Sequence, residues 1–148
     1  MTLENVSYTE IPVYIKGGTV LPLRVQCANT TTDLRNVDFE LVVAPSTNST
    51  AAGTLYLDDG ISIQQSATFM ATYQYGNKQL NVQKDGSFDV GSLKYKDVKI
   101  LGVQNQPSLV ILNGHSVDGG SVSYNSTARS VTVKIDLPLS STFTLSWQ

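Results

Sequence analysis

Short glycine-containing turns cut this chain into runs too brief and too strictly alternating to be helices. Gly17-Gly18, Asp59-Gly60, Gly76-Asn77, Asp85-Gly86 and Asn113-Gly114 recur along its 148 residues. Each pair accepts positive φ at low steric cost, which is the backbone a tight hairpin demands. Between them, Phe69, Ala71, Tyr73 and Tyr75 alternate with Met70, Thr72 and Gln74. Val131, Val133, Ile135 and Leu137 alternate with Thr132, Lys134 and Asp136, and Phe143, Leu145 and Trp147 with Thr144 and Ser146. A period of two puts neighbouring side chains on opposite faces of a strand. No window of helical length shows a clean 3.6 period. The pattern predicts an all-β chain, an antiparallel β-sandwich.

In chain order, residues 11–25 read as a β-hairpin turned at Gly17-Gly18. Pro12 and Pro22 lack an N–H, which suits strand starts, edges or bulges and not a central ladder. Residues 26–37 are polar and irregular. Residues 39–44 form a strand closed by Pro45, followed by an exposed polar loop. Gly53-Thr54-Leu55-Tyr56-Leu57-Asp58-Asp59-Gly60 is a two-faced strand ending in a turn, and Ile61 and Ile63 continue with strand spacing. Asp85-Gly86 reads as a further turn, and 109–112 as a strand buried on both faces.

Ten basic and twelve acidic residues give a net charge of −2 without a run of either sign. No basic patch marks a nucleic-acid surface, and no apolar stretch approaches the roughly 18–20 residues of a spanning helix. Cys27 is the only cysteine, so it forms no internal disulfide and is expected as a small buried hydrophobe. Asn-X-Ser/Thr sequons at Asn5, Asn29, Asn48 and Asn125 point to a secretory-pathway or secreted protein carrying N-glycans. Residues 1–5 have neither a basic nor an apolar leader segment. The expectation is therefore an internal or processed piece of a longer protein, with Met1 added.

Three blocks together resemble the C-terminal region of glycoside hydrolase family 31, the α-glucosidase family. Ile11-Pro12-Val13-Tyr14-Ile15-Lys16-Gly17-Gly18-Thr19-Val20-Leu21-Pro22-Leu23 is similar to the hairpin that ends the family's proximal C-terminal β domain. Asn29-Thr30-Thr31-Thr32, Arg35 and the run from Phe39 to Ala44 resemble the entry to its distal β domain. Residues 53–60 match the family's Gly-x-Leu-aromatic-x-Asp-Asp-Gly marker, and 133–147 are similar in pattern only. Lys16 replaces a usual Arg, Val37 a common Pro, and Ile61 a frequent Glu. The resemblance implies two parts. Residues 1–37 would be the terminal hairpin of the proximal domain plus a connection, and 38–148 the distal sandwich. The apolar face of 11–25 would then be under-covered and ready to pair with another copy or element.

The resemblance also implies where the chemistry lies. Family members are retaining α-glucosidases whose two catalytic aspartates flank the scissile bond in a (β/α)₈ barrel upstream of this region. The family's Trp-x-Asp-Met-Asn nucleophile signature is absent, so no catalytic residue transfers to this chain. The expected role is to pack on and stabilise that barrel, without a cofactor. Asp58 and Asp59 are neighbours in extended backbone and point to opposite faces, so they are expected to serve the turn and not to bracket a sugar. A calcium site on them is chemically open, though no oxygen-rich loop spacing supports it. His115 has no partner Cys, Ser or His nearby in sequence and reads as a loop residue. Tyr56, Tyr73, Tyr75 and Trp147 are expected mainly as core. The alternative is an exposed aromatic platform that binds oligosaccharide, as in a carbohydrate-binding module.

Overall fold

The computed structural model describes residue 9, residue 11 and residues 13–148; the sequon at Asn5 and Pro12 lie outside them. Eleven strands make up the described residues' main regular structure. They are β1 (Thr19–Arg24), β2 (Phe39–Ala44), β3 (Ala51–Leu57), β4 (Phe69–Gly76), β5 (Gln79–Gly86), β6 (Lys94–Leu101), β7 (Val110–Leu112), β8 (His115–Ser116), β9 (Val122–Asn125), β10 (Ser130–Pro138) and β11 (Phe143–Trp147). A single helical turn, α1 (Thr31–Leu34), interrupts them near the start. Its N-cap is Thr30, whose Oγ1 accepts from the Asp33 amide at 3.1 Å. The Thr-x-x-Asp spacing of a capping box was present in the sequence, inside the stretch expected to be irregular.

The strands hydrogen-bond in the order β8-β7-β11-β5-β4-β3-β1-β2-β6-β10-β9. Most ladders are antiparallel, as the turn spacing predicts. Two are parallel, β1 with β3 and β2 with β6, so the sheet is mixed. It folds over on itself at the β1–β3 junction, where the ladder shrinks to the single pair Thr19↔Ala52. The two halves then face each other across one apolar core. Tyr95 of β6 meets Tyr73 of β4 edge-on at 6.3 Å and Phe143 of β11 at 5.6 Å, although none of these strands are neighbours. The terminal strands β8 and β9 are joined by residues 117–121, which brings the sheet's two ends together. Short end strands leave little unpaired edge to recruit another chain.

Alternation places the core as expected. Phe69, Ala71, Tyr73 and Tyr75 are buried along β4, Leu80 and Val82 along β5, and Phe143, Leu145 and Trp147 along β11. In β6 the phase slips, because Tyr95 and Val98 both point inward three residues apart. The slip is a bulge, with β6 carrying an extra residue against β2 and β10 an extra one against β6. The bulged residue of β10, Asp136, has φ 44°, a conformation that Asp tolerates better than most residues. Its carboxylate accepts from Lys94 Nζ at 2.9 Å and from Lys96 Nζ on the adjacent strand.

Several local expectations are corrected. The described residues of 13–16 are not strand, and β1 takes β2 as its antiparallel partner along all six residues. The 11–25 hairpin therefore does not form, because the longer β2 ladder satisfies β1. Pro22 sits in a strand that is central by order, yet its missing N–H breaks no ladder because the β3 side of β1 is registered only at Thr19. Asp85-Gly86 is not a turn; β5 runs through it, pairing Asp85 with Met70 and Gly86 with Phe69. The β4–β5 turn falls at Asn77-Lys78, both with positive φ, one residue beyond the expected pair. Val110 is buried, Ile111 and Leu112 are partly buried and Leu109, just before β7, is exposed, so the run 109–112 is not buried on both faces. Cys27 is exposed in the connection after β1 instead of buried.

Candidate functional site

The marker stretch 53–60 acts at both of its ends. Gly53 lies where β3 presses against β1, and a Cβ there would overlap the Val20 carbonyl oxygen. Only a residue without a side chain permits that parallel approach. At the other end, Leu57 pairs with Phe69 and the chain leaves β3 into the 58–68 connection. Ile61 and Ile63, expected to continue as strand, stand in this loop at 90% and 102% exposure.

The loop is held by its own carboxylates. Asp58 Oδ1 accepts from the Gly60 amide at 2.8 Å. Asp59 Oδ1 accepts from the amides of Ile61 and Ser62 at 2.9 and 3.0 Å, and its Oδ2 accepts from the Ser62 hydroxyl at 2.6 Å. The Ser62 hydroxyl and then these two amides hold the Asp59 carboxyl well below its ordinary range, because every bond favours the ionised form. Both aspartates are thus engaged with backbone of the same turn. Among the described residues no three of His, Cys, Asp and Glu converge as a metal cluster would require.

Arg35 joins two of the sequence blocks in space. Its Nη1 donates to the Asp58 carbonyl at 2.9 Å, and its guanidinium lies where a Cβ on Gly60 would fall. Gly60 has φ 64°, so glycine serves both the left-handed turn and the close approach of the arginine. Beside it, Arg24 stacks over Phe39 at 3.9 Å and donates to the carbonyls of Val37 and Arg35. Val37, the departure from the family's proline, is buried. Arg24, Arg35, Asp58, Asp59 and Asp89 border a cleft of about 390 Å³. Its charged side chains bond mainly to backbone: both arginines donate to carbonyls, and the three aspartates accept from amides of their own turns.

The remaining singled-out residues are dispersed. His115 is exposed at the edge strand β8, with Nδ1 3.1 Å from the Asn113 carbonyl. Asn29, Asn48 and Asn125 are exposed. Asn125 Oδ1 also accepts from the Ala128 amide at 2.9 Å in the β9–β10 turn. The four aromatics do not form one platform. Tyr73 is fully buried and its hydroxyl is 3.0 Å from that of Tyr95, whereas Tyr56 is half exposed on β3. Tyr75 and Trp147 alone stack, 5.5 Å apart and 13° from parallel. They wall a cavity of about 750 Å³ between the 46–49 turn, the β4–β5 turn and the 101–108 connection.

No protein-family model matches the chain. A probable alpha/beta-glucosidase (agdC) of Aspergillus clavatus is 39% identical over 140 residues, covering 94% of this chain and 15% of that protein. An alpha-glucosidase of Aspergillus niger is 40% identical over 119 residues, covering 80% of this chain and 12% of that protein. The fold recurs in the catalytic subunit of ER glucosidase II, solved with the binding domain of its regulatory subunit, at a TM-score of 0.70 and 18% identity. That match covers 89% of this chain and 17% of the solved one. This chain thus spans about 12–15% of the length of these curated relatives. The Gly53–Gly60 marker, its Arg35 partner and near-complete alignment with fungal glucosidases identify one lineage: the chain belongs to glycoside hydrolase family 31, in the C-terminal β region of its α-glucosidases.

Proposed function

We propose that this chain is the non-catalytic C-terminal β-sandwich of a retaining, maltase-like α-glucosidase that hydrolyses terminal α-glucosidic bonds, and that it packs on and stabilises a catalytic (β/α)₈ barrel. One observation carries the reading: an alignment over 94% of this chain accounts for 15% of a glucosidase. The residues gathered at the marker support it, since Asp58 and Asp59 both hold amides of one turn. The boundary between the two β domains is proposed with one amendment. β1 lies on the N-terminal side of residue 37 yet is a strand of this sheet. The stretch belonging to the preceding domain is therefore 11–16, where Ile11, Val13 and Tyr14 are 89%, 84% and 59% exposed.

The parent is proposed to be a secretory-pathway enzyme with N-glycans on some of the exposed sequons Asn29, Asn48 and Asn125. No helix among the described residues is long and apolar enough to cross a membrane. The test pairs two preparations. The purified chain should release no glucose from maltose or p-nitrophenyl α-glucoside. The parent enzyme lacking this region should lose thermal stability and soluble yield. Hydrolysis by the purified chain would overturn the proposal, as would an unchanged melting temperature in the truncated parent.

A further inference from the structure

The cavity beside Tyr75 and Trp147 is built unlike the charged cleft at the marker turn. Of its sixteen lining residues only Lys78 is charged. Gln104, Asn105, Gln106 and Asn77 also line it; all four are exposed, and their side-chain amides make no hydrogen bond among the described residues. Amides that both donate and accept, with a single lysine and no acidic side chain beside them, match the alternating hydroxyls of a neutral sugar. At about 750 Å³ the space lies within the usual range for a small-ligand site.

Its walls are fixed in advance. The Val103 amide donates to the Arg129 carbonyl at 2.8 Å, and the Tyr124 hydroxyl donates to the Gln104 carbonyl at 2.8 Å. The far end of the loop is tied by the Ser108 amide to the Gln148 carbonyl, also at 2.8 Å. The opposite wall is a closed turn in which the Ser46 amide donates to the Thr50 carbonyl at 2.8 Å. Loops tied at both ends lose little conformational freedom when a ligand arrives, which favours binding. Tyr75 and Trp147 are 8% and 7% exposed and stacked on each other, so they form a wall and do not offer an open stacking face.

The same wall carries an attachment point. Asn48, in the sequon Asn48-Ser49-Thr50, is exposed between Ser46 and Ser49, both of which line the cavity. A glycan on Asn48 would start at the rim, and tethering would give it a high effective concentration there.

We propose that this cavity is a subsite for a neutral hexose chain. The ligand chemistry is the same whether the chain is a free glucan or the glycan attached at Asn48. The inference rests on the glucosidase reading only for the presence of such sugars; its test needs no hydrolysis, so the two readings fail separately.

Trp147 is the only tryptophan, so its emission reports on this cavity alone. In one arm, the chain made without glycosylation is titrated with maltoheptaose and, in parallel, with a mannose oligosaccharide. A saturable change in emission, weakened about tenfold by Gln104→Ala with Asn105→Ala, identifies a free-sugar site. In the other arm, the chain is secreted from yeast and compared before and after endoglycosidase trimming. A trimming-dependent shift of Trp147 emission and loss of amide-exchange protection in 102–108, both absent in Asn48→Gln, identifies the attached glycan as occupant. The proposal is overturned if neither arm responds, or if the Gln104/Asn105 variant responds as the parent sequence does.

Discussion

Gly60 and Arg35 show how a short marker is enforced at the scale of single residues. A β-carbon on Gly60 meets two costs: a left-handed backbone, about 1–2 kcal/mol for a non-glycine residue, and displacement of Arg35 from the Asp58 carbonyl. Gly60→Ala is therefore expected to lower unfolding stability by about 2 kcal/mol. In an Arg35→Ala background the loss should shrink, leaving the backbone part. Urea denaturation of the two single variants and the double variant measures that coupling; strict additivity would show that the two residues do not communicate. Asp59 adds a pH dependence. Its carboxyl is held below the ordinary value of 3.8, by Ser62 first. A depressed folded value contributes stability that is complete above about 3.8 and is lost as pH falls below it. Asp59→Asn should therefore flatten the acid limb of the stability curve below about pH 4, measured by thermal melts across pH. Asp59 itself was legible as a turn residue from its neighbour Gly60. Arg35 as the turn's partner was not, because 23 residues and two strands separate it from Asp58.

Among the elements, strand alternation was legible wherever a run met water on one face. β4, β10 and β11 lie where the periodicity places them, within a residue or two, whereas β2 was marked by its apolar run and the closing Pro45. Alternation was silent on which layer faces which, and the Tyr73–Tyr95 pair answers that. The two hydroxyls meet inside the core from strands of opposite halves. Tyr73→Phe leaves the Tyr95 hydroxyl buried without its partner and should cost about 1–3 kcal/mol. Replacing both by Phe should cost less than the sum of the single changes, because no polar atom is then stranded. Burial raises both phenols above the ordinary 10, with Tyr95 pushed up to about 12 and Tyr73 raised further by burial and by Tyr95. Raised folded values contribute stability that is complete below about pH 10 and lost as pH rises through the folded values. The double Phe variant should therefore resist alkaline unfolding better than the parent sequence in melts between pH 9 and 12. The β6–β10 bulge escaped notice for a related reason. Tyr95 and Val98 break the period of two, and the register shift against Phe39 and Glu40 of β2, where β6 carries an extra residue, accounts for both still pointing inward.

For the whole molecule, the exposed apolar residues at Ile11, Val13 and Tyr14 mark the side on which the parent enzyme is proposed to continue. Left uncovered, that stretch should drive concentration-dependent association of the isolated chain. Sedimentation velocity is expected to show an oligomer that Val13→Ser with Tyr14→Ser converts to monomer; a chain monomeric at every concentration would count against this docking side. The sequence by itself determined the all-β class, the positions of the long strands and the family, because a period of two and the residues of a marker are local properties. It did not determine the partner of β1, the fold-over of one mixed sheet into two layers or the meeting of Arg35 with the Asp58–Gly60 turn. It also could not show which aromatics share a wall. Those depend on which backbone donors find acceptors across the molecule and on which faces close the core. Local sequence leaves those long-range pairings open, and the packed chain selects one set.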